Sequence, residues 1–180
     1  AYLVHDPQKN ELIKHILKEK EYASVLIFSS TKQKVKQLNR ELQMARFKAK
    51  AIHSDLDQEE REDVLRGFRS RQVQILVATD ILSRGIDIED IGLVINYDLP
   101  NDAEDYVHRI GRTARASTKG EAITFINDFD QHKFHKIEQL IEKEVEKRPL
   151  PEHLGPNPVW NPSSKKRPPG RKPHPHGGRP

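Results

Sequence analysis

Cysteine is absent from this chain of 180 residues, and its absence excludes disulfides and cysteine-based zinc sites. Chains without cysteine are typical of a reducing compartment. The sequence also has no uninterrupted apolar run long enough for a signal peptide or a membrane span. We therefore expect a soluble, cytoplasmic protein, and the length suits one domain with some additional chain.

Glycine-rich nucleotide-binding loops are missing as well. No glycine is followed by lysine, so the chain has no G-x-x-x-x-G-K-[ST] phosphate loop. No G-x-G-x-x-G follows an apolar run, which argues against a dinucleotide-binding enzyme. We also predict no metal centre, because potential metal ligands occur only as isolated pairs that suit adventitious binding at most, namely His53 with Asp55, His132 with His135, and His174 with His176.

Acidic residues are missing from residues 161–180, which contain Lys165, Lys166, Arg167, Arg171, Lys172 and Arg179. The formal net charge of +4 is therefore concentrated in this segment. It is rich in proline and poor in apolar residues, which predicts disorder. We place a domain at residues 1–154 and a disordered tail at 155–180. The tail is either a solubilising end or a phosphate-binding arm, and Trp160 within it either docks on the body or lies free.

Apolar runs rich in Val and Ile alternate with helical patterns between residues 7 and 146. The runs at 24–28, 73–78, 92–97 and 121–126 predict buried strands, and 49–53 predicts a weaker fifth. Helical stripes lie between them, and a last helix is predicted near 129–146. The stripes are formed by Leu12, Ile13, Ile16 and Leu17, by Val35, Leu38 and Leu42, and by Val64, Leu65 and Phe68. The alternation predicts an α/β fold, an open and mostly parallel sheet with helices on both faces.

Polar segments follow the predicted strands at 29–31, 53–61 and 79–87, and another at 108–115 lies one helix beyond the fourth strand. Ligands of parallel sheets bind beyond the carboxyl ends of the strands. We therefore expect all four segments to face the same edge of the sheet.

The segment "TDILSRGID" at 79–87 combines a guanidinium, a glycine and a carboxylate. Gly85 permits close approach of a partner to the backbone. Arg84 can bind a phosphate or a carboxylate, and Asp87 can accept a hydrogen bond from a sugar hydroxyl. Taken singly, Asp80 and Asp87 are more readily explained by helix capping and turn formation, and the combination is what indicates a ligand.

The segment "HRIGRTAR" at 108–115 spaces Arg109, Arg112 and Arg115 three residues apart, which on a helix places neighbours on one face. Crowded like charges repel, whereas the planar fork of arginine binds phosphate oxygens in pairs, so an anion is the expected ligand. Gly111 marks either a helix exit or room for a partner. The alternative is a solvated basic helix end beside the acidic residues at 102, 104 and 105, with His108 an ordinary hydrogen-bonded histidine.

Four motifs in this order and spacing resemble the second RecA-like domain of DEAD-box RNA helicases: "VLIFSST", "AIHSDLDQEER", "ILVATDILSRGIDI" and "DYVHRIGRTARA". The resemblance covers about Tyr2 to Leu154. The ending "PEHLGPNP" and Ala114 in the arginine motif resemble bacterial RhlE-like members. Ala114 and Ser54 stand where many members have glycine, and neither change removes a charged or hydrogen-bonding group.

The resemblance implies a role for each matching position. Arg112 and Arg115 would be arginine fingers that reach the γ-phosphate of ATP, and His108 and Arg109 would couple ATP to RNA through contacts with the other domain. Asp87, beside Gly85, would hold the ribose of the nucleotide. The RNA backbone would be contacted by Thr31, Gln58, Arg61, Thr79, Asp80 and Arg84.

The resemblance also implies partners. ATP with Mg²⁺ would be held mainly by an N-terminal RecA-like domain, because this chain lacks both the phosphate loop and the "DEAD" string that holds magnesium. The whole protein would be an ATP-dependent RNA helicase, and this part alone is predicted to be inactive. The alternative is a non-catalytic RNA-binding scaffold, which would not need Arg112, Arg115 or Asp87.

Overall fold

Six parallel strands form the central sheet of the computed structural model, which describes residues 1–80, 88, 90–115 and 118–163. Their spatial order is β1–β8–β5–β2–β4–β3, and every pair of neighbours is parallel. A short antiparallel hairpin, β6 with β7, precedes β8. The strands are β1 (Tyr2–Leu3), β2 (Val25–Phe28), β3 (Ala49–Ile52), β4 (Ile75–Ala78), β5 (Leu93–Asn96), β6 (Ala114–Arg115), β7 (Thr118–Lys119) and β8 (Glu121–Ile126).

Within the described ranges, four α-helices lie between strands and a fifth follows β8: α1 (Lys9–Glu19), α2 (Lys32–Met44), α3 (Gln58–Arg69), α4 (Ala103–Ile110) and α5 (Gln131–Leu140). Helix α3 begins with a capping box, since Asp57 accepts from the Glu60 N–H at 2.8 Å and Glu60 accepts from the Asp57 N–H at 2.9 Å. Helix α5 is shorter than the predicted 129–146. It stops because Glu142 adopts φ 52°, a left-handed conformation that ends a helix. No helix in the described ranges has the length and apolar character needed to cross a membrane.

The core lies on both faces of the sheet. Val25 and Ile27 of β2 pack with α1 and α2 on one face, whereas Leu26 and Phe28 pack with Phe68 of α3 on the other. Successive side chains of a strand point to opposite faces, so a continuously apolar strand serves two cores. The predicted α/β architecture, with helices on both faces, is thus confirmed.

A proline-containing strap, residues 155–161, lies on the body. The side chain of Gln8 donates to the carbonyl of Leu154 at 2.6 Å, where the strap begins. Gln131 donates to the Val159 carbonyl at 2.9 Å and accepts from the Asn161 N–H at 2.6 Å. These hydrogen bonds attach the chain to the body as far as Asn161. The domain limit after Leu154 stays a prediction.

Trp160 docks rather than lying free. Its ring meets the ring of Phe134 edge to face, with centroids 6.2 Å apart, and the Lys147 ammonium lies 4.4 Å from its centroid. The basic residues of the predicted tail, from Lys165 onward, lie outside the described part of the chain.

Candidate functional site

The loops after β2, β3 and β4 open at the same edge of the sheet, because parallel strands end on the same side. Thr31 follows β2 and caps α2 by accepting from the Lys34 N–H at 3.2 Å. Gln58 and Arg61 lie in the first turn of α3, which follows β3, and Thr79 follows β4. The structure therefore brings Thr31, Gln58, Arg61 and Thr79 to one edge, as expected. Arg84, Gly85 and Asp87 lie outside the described residues.

Arg109 is buried, with 3% of its surface exposed. Its Nε and Nη2 atoms donate to the two carboxylate oxygens of Asp80, at 2.6 and 2.5 Å. Its Nη1 atom donates to the side chain of Asn96 at 3.0 Å and to the backbone carbonyl of Asp98 at 2.8 Å. The guanidinium also lies 4.8 Å from the ring centroid of Phe28. One arginine thus joins the carboxyl ends of β2, β4 and β5.

This geometry differs from the surface roles that the resemblance implies. The resemblance assigns Asp80 to RNA and Arg109 to contacts with another domain. In this structure, however, the two side chains form a bidentate ion pair within the domain. A guanidinium fork and a carboxylate are complementary in shape, so the pair is held firmly once it is desolvated.

Asp98 is a second buried group at this edge, and it was not predicted. Its carboxylate accepts from the Ser29 hydroxyl and the Ser30 N–H, both at 2.9 Å, and from the ammonium groups of Lys9 and Lys34, both at 3.2 Å. Burial alone would raise the pKa of Asp98, but Lys9, the Ser30 N–H and Lys34 hold it well below its usual range. The ionised carboxylate therefore fixes the loop that leads to Thr31.

Helix α4 ends at Ile110, so the three arginines do not share one helical face. Gly111 is the C-terminal cap, which is the helix exit that the sequence left open. Arg109 points into the domain, whereas Arg112 lies in the following turn. The Arg112 carbonyl accepts from the Ile91 N–H at 3.4 Å, just before β5 begins. The prediction that all four polar segments face one edge is therefore wrong for Arg112, because α4 carries the chain back along the sheet.

A surface groove of about 890 Å³ runs along the outer side of α4. Its walls include the exposed His108 and the half-buried Arg112, together with acidic residues at the start of the helix. The side chain of Arg115 lies outside the described part of the structure. The groove is lined by Asp102, Ala103, Glu104, Asp105, His108, Arg112 and Leu140.

Gly120 fixes the return of the β6–β7 hairpin, which carries Arg115. A Cβ atom at Gly120 would lie 2.4 Å from the Cβ of Thr113 and 2.6 Å from its carbonyl oxygen. Thr113 is buried and its hydroxyl donates to the Ile110 carbonyl at 2.9 Å, so it cannot easily give way. We expect Gly120→Ala to lower the free energy of unfolding by about 1–3 kcal/mol, the usual cost of overpacking, in urea denaturation.

Gly67→Ala is the matched control for this substitution. Gly67 lies within α3, where alanine is favoured by about 1 kcal/mol, and a Cβ atom there would meet only a Val73 methyl at 3.1 Å. We expect that variant to be close to the wild type in stability. Equal stabilities of Gly120→Ala and Gly67→Ala would contradict the assigned crowding at Thr113.

Among the described residues, no group of three or more His, Asp or Glu side chains is placed to hold a metal ion. His53 and Asp55, one of the isolated pairs noted in the sequence, interact through the Asp55 N–H, which donates to the His53 Nδ1 atom at 3.3 Å.

Comparison with known sequences gives consistent matches. The family described as "Helicase conserved C-terminal domain" matches residues 8–117. The chain is 44% identical over 148 residues to ATP-dependent RNA helicase DbpA of Bacillus subtilis, which covers 82% of this chain and 31% of that protein. It is 44% identical over 125 residues to eukaryotic initiation factor 4A of Dictyostelium discoideum, covering 69% and 31%. The chain thus spans 31% of the length of these curated relatives.

Solved structures show the same fold. The DEAD-box protein SrmB of Escherichia coli, solved bound to regulator of ribonuclease activity A, matches with a TM-score of 0.79 and 31% identity over 94% of this chain and 95% of that one. A DEAD box protein from Methanococcus jannaschii matches with a TM-score of 0.75 and 44% identity over 81% and 40%. The C-terminal domain of Dbp5 matches with a TM-score of 0.74 and 30% identity over 81% and 84%. These matches confirm the RecA-like α/β fold.

Proposed function

Because this chain belongs to the family of helicase conserved C-terminal domains, as found in DEAD-box RNA helicases, we propose that it binds the RNA backbone and activates ATP held on another domain. The observation that carries the proposal is the edge described above. There, Thr31, Gln58, Arg61 and Thr79 follow β2, β3 and β4, and Arg109 ties the ends of β2 and β4 to the neighbouring β5. The whole protein is proposed to be an ATP-dependent RNA helicase.

The groove along α4 is proposed as the side that meets ATP. Arg112 and Arg115 are assigned as arginine fingers, with His108 in contact with the other domain and with Asp87, beside Gly85, at the ribose. The transition state of phosphoryl transfer spreads negative charge over the γ-phosphoryl oxygens, and arginines from outside the nucleotide pocket stabilise it. ATP and its Mg²⁺ are assigned to the other domain, because this chain lacks the phosphate loop and the acidic string.

RNA is proposed to lie across the carboxyl edge. Hydroxyl, amide and guanidinium groups of Thr31, Gln58, Arg61 and Thr79 are suited to the sugar-phosphate backbone, so base specificity should be low in this domain. Arg84 is assigned to the same surface. We assign Arg109 and Asp80 a different part from the one that the resemblance implies, in which they hold the strand ends in place from inside.

Two binding surfaces on one domain would couple ATP binding to RNA binding. If both ligands bridge to the other domain, each favours the closed arrangement and each raises the affinity for the other. The arginine fingers reach ATP only in that arrangement. We propose that closure distorts one RNA strand, that local duplex pairs melt, and that hydrolysis reopens the domains.

Membership of the RhlE-like subgroup stays a proposal. It is supported by the "PEHLGPNP" ending and by Ala114 in the arginine motif. In the fold, two carbonyls of this ending, those of Leu154 and Pro156, accept hydrogen bonds from the Gln8 side chain at 2.6 and 3.0 Å. A cytoplasmic location is also proposed, because a chain without cysteine suits a reducing compartment.

Arg61→Ala tests the RNA surface directly. Arg61 is half-buried, and within the described residues its Nε atom has no hydrogen-bond partner. We expect the variant, in the longer protein that carries this domain, to bind single-stranded RNA about tenfold more weakly, since hydrogen bonds to charged groups contribute about 1.5–3 kcal/mol. The slope of log affinity against log salt should fall by about 0.7, the change expected when one phosphate is no longer neutralised.

The control for this measurement is Arg66→Ala on the same helix. Arg66 is exposed and pairs with Asp63 at 2.8 Å, one turn further from the strand ends. The Arg66→Ala substitution removes the same charge as Arg61→Ala and should leave RNA affinity nearly unchanged. Equal losses for Arg61 and Arg66 would indicate a diffuse charge effect and would count against the proposed surface.

A further inference from the structure

Two lysines of α2 converge on one carboxylate at the proposed RNA edge. Lys32 Nζ lies 2.8 Å from Asp55 Oδ1, and Lys36 Nζ pairs closely with Asp55 Oδ2. Lys32 and Lys36 are one helical turn apart, so their side chains share a face of the helix. All three side chains are 43–44% exposed, so solvent and solutes reach them. Neither the resemblance nor the comparisons assign a role to this triad.

The position of the triad, beside the proposed RNA contacts, favours a role in RNA binding over a role in stabilising the fold. Lys32 directly follows Thr31, and Asp55 lies between the end of β3 and Gln58. Exposed ion pairs contribute little to the stability of a fold. Two ammonium groups that share one carboxylate leave one positive charge in excess, which a phosphodiester would neutralise.

The acid in this triad stays charged over the whole working range of pH. Hydrogen bonds from Lys32 and Lys36 lower the pKa of Asp55 to about 2. Nearby, partial burial and the positive charge of Lys36 lower the pKa of His53, so the histidine adds no lasting third cation. Neighbouring acids are engaged elsewhere, since Asp57 and Glu60 cap α3 and Glu62 accepts from Gln58. Asp55 is therefore the anion that the two lysines meet when RNA is absent.

We propose that Lys32 and Lys36 form a phosphate-binding pair for the RNA strand and that Asp55 is an internal competitor for that pair. The carboxylate occupies the place of a phosphate oxygen, and the RNA backbone displaces it on binding. This inference rests on the proposed RNA-binding function. It adds two RNA contacts, from Lys32 and Lys36, and a carboxylate, Asp55, that lowers the affinity for RNA. Asp55 also weakens the binding of other anions, because only a ligand that Thr31, Gln58 and Arg61 also bind displaces the carboxylate from the two lysines.

The test is a titration of fluorescent single-stranded RNA of mixed sequence into the longer protein, at several salt concentrations. Asp55→Asn should tighten RNA binding about fivefold at low salt, because an adjacent like charge is removed from the phosphate site. Lys32→Gln combined with Lys36→Gln should weaken binding and reduce the salt slope by about 0.7 for each phosphate that is no longer neutralised. In the background of both lysine changes, Asp55→Asn should no longer tighten binding.

Matched controls separate this mechanism from net charge. Asp63→Asn makes the same charge change on α3, where Asp63 pairs with Arg66 away from the triad, and Lys18→Gln removes an exposed lysine from the last turn of α1. At about 0.15 M salt, both should leave RNA affinity within about twofold of the wild type, because salt screens exposed charges that do not contact the RNA.

The competitor role is overturned if Asp55→Asn leaves RNA binding unchanged, weakens it, or matches Asp63→Asn. The phosphate pair is overturned if the double lysine variant behaves like Lys18→Gln. Failure of the proposed function itself has a different signature, since Arg61→Ala and the lysine variants would then all leave RNA affinity at the level of the wild type.

Discussion

Arg109→Leu is expected to lower the free energy of unfolding by about 3–5 kcal/mol, because it breaks a buried ion pair and leaves the partners unpaired. Without the guanidinium, three acceptors lose their hydrogen-bond donor: the Asp80 carboxylate, the Asn96 side-chain oxygen and the Asp98 backbone carbonyl. Leucine also lacks the positive charge that the guanidinium places over the ring of Phe28. Urea denaturation of the chain, monitored by circular dichroism, measures the effect.

Graded variants show which part of the interaction matters. Arg109→Lys keeps the charge but lacks the fork that binds both oxygens of Asp80, so we expect an intermediate loss of stability. Asp80→Asn should cost less than Arg109→Leu, because the Asp80 side chain is 31% exposed and water partly replaces the missing partner. Arg66→Leu, at an exposed ion pair, should change stability by no more than about 1 kcal/mol. If Arg109→Leu were as stable as Arg66→Leu, the buried network would not hold the strand ends.

The network around Arg109 also connects the two proposed surfaces. Its guanidinium comes from α4, the helix of the ATP-facing groove, and it binds the backbone of Asp98. The carboxylate of Asp98 in turn holds Ser29 and Ser30, next to Thr31. Hydrogen bonds of Arg109 and Asp98 therefore connect α4 to the loop that leads to Thr31, the loop proposed to face RNA.

The sheet and its helices could be predicted from the sequence because their signals are local. The run "SVLIF" and the others of its kind are mostly apolar, as expected of strands covered on both faces. Asp57 with Glu60 carries its own capping geometry. Strand β1 was missed because two residues, Tyr2 and Leu3, are too short for a pattern. Their pairing with β8 depends on neighbours more than 120 positions away.

The contacts of the strap and the partners of Arg109 are tertiary features, which composition and spacing cannot identify. Proline-rich composition predicts disorder, but Trp160 finds Phe134 and Lys147, which no local pattern reveals. Regular spacing of the arginines suggested one helical face, whereas α4 ends between the first and the second of them. Asp98 could have been found by the rule that identified Asp80, since it also follows a buried strand.

Arg112→Ala and Arg115→Ala are each expected to lower RNA-stimulated ATP hydrolysis by about 10³-fold or more in the longer protein, the range known for arginine fingers. The loss should appear in the rate of the chemical step. Nucleotide affinity should largely persist, since ATP is proposed to be held by the other domain. Arg112 lines the groove along α4. Arg40→Ala, on the exposed side of α2, removes the same charge and should retain full activity.

The most direct test of the proposed function is the release of γ-phosphate in a single turnover, with saturating RNA and with folding and nucleotide binding verified for each variant. We predict that Arg112→Ala and Arg115→Ala bind ATP and RNA but release phosphate about 10³-fold more slowly than the wild type and Arg40→Ala. Phosphate release at the rate of the wild type by both arginine variants would contradict the proposal that this domain activates ATP, and would favour an RNA-binding scaffold.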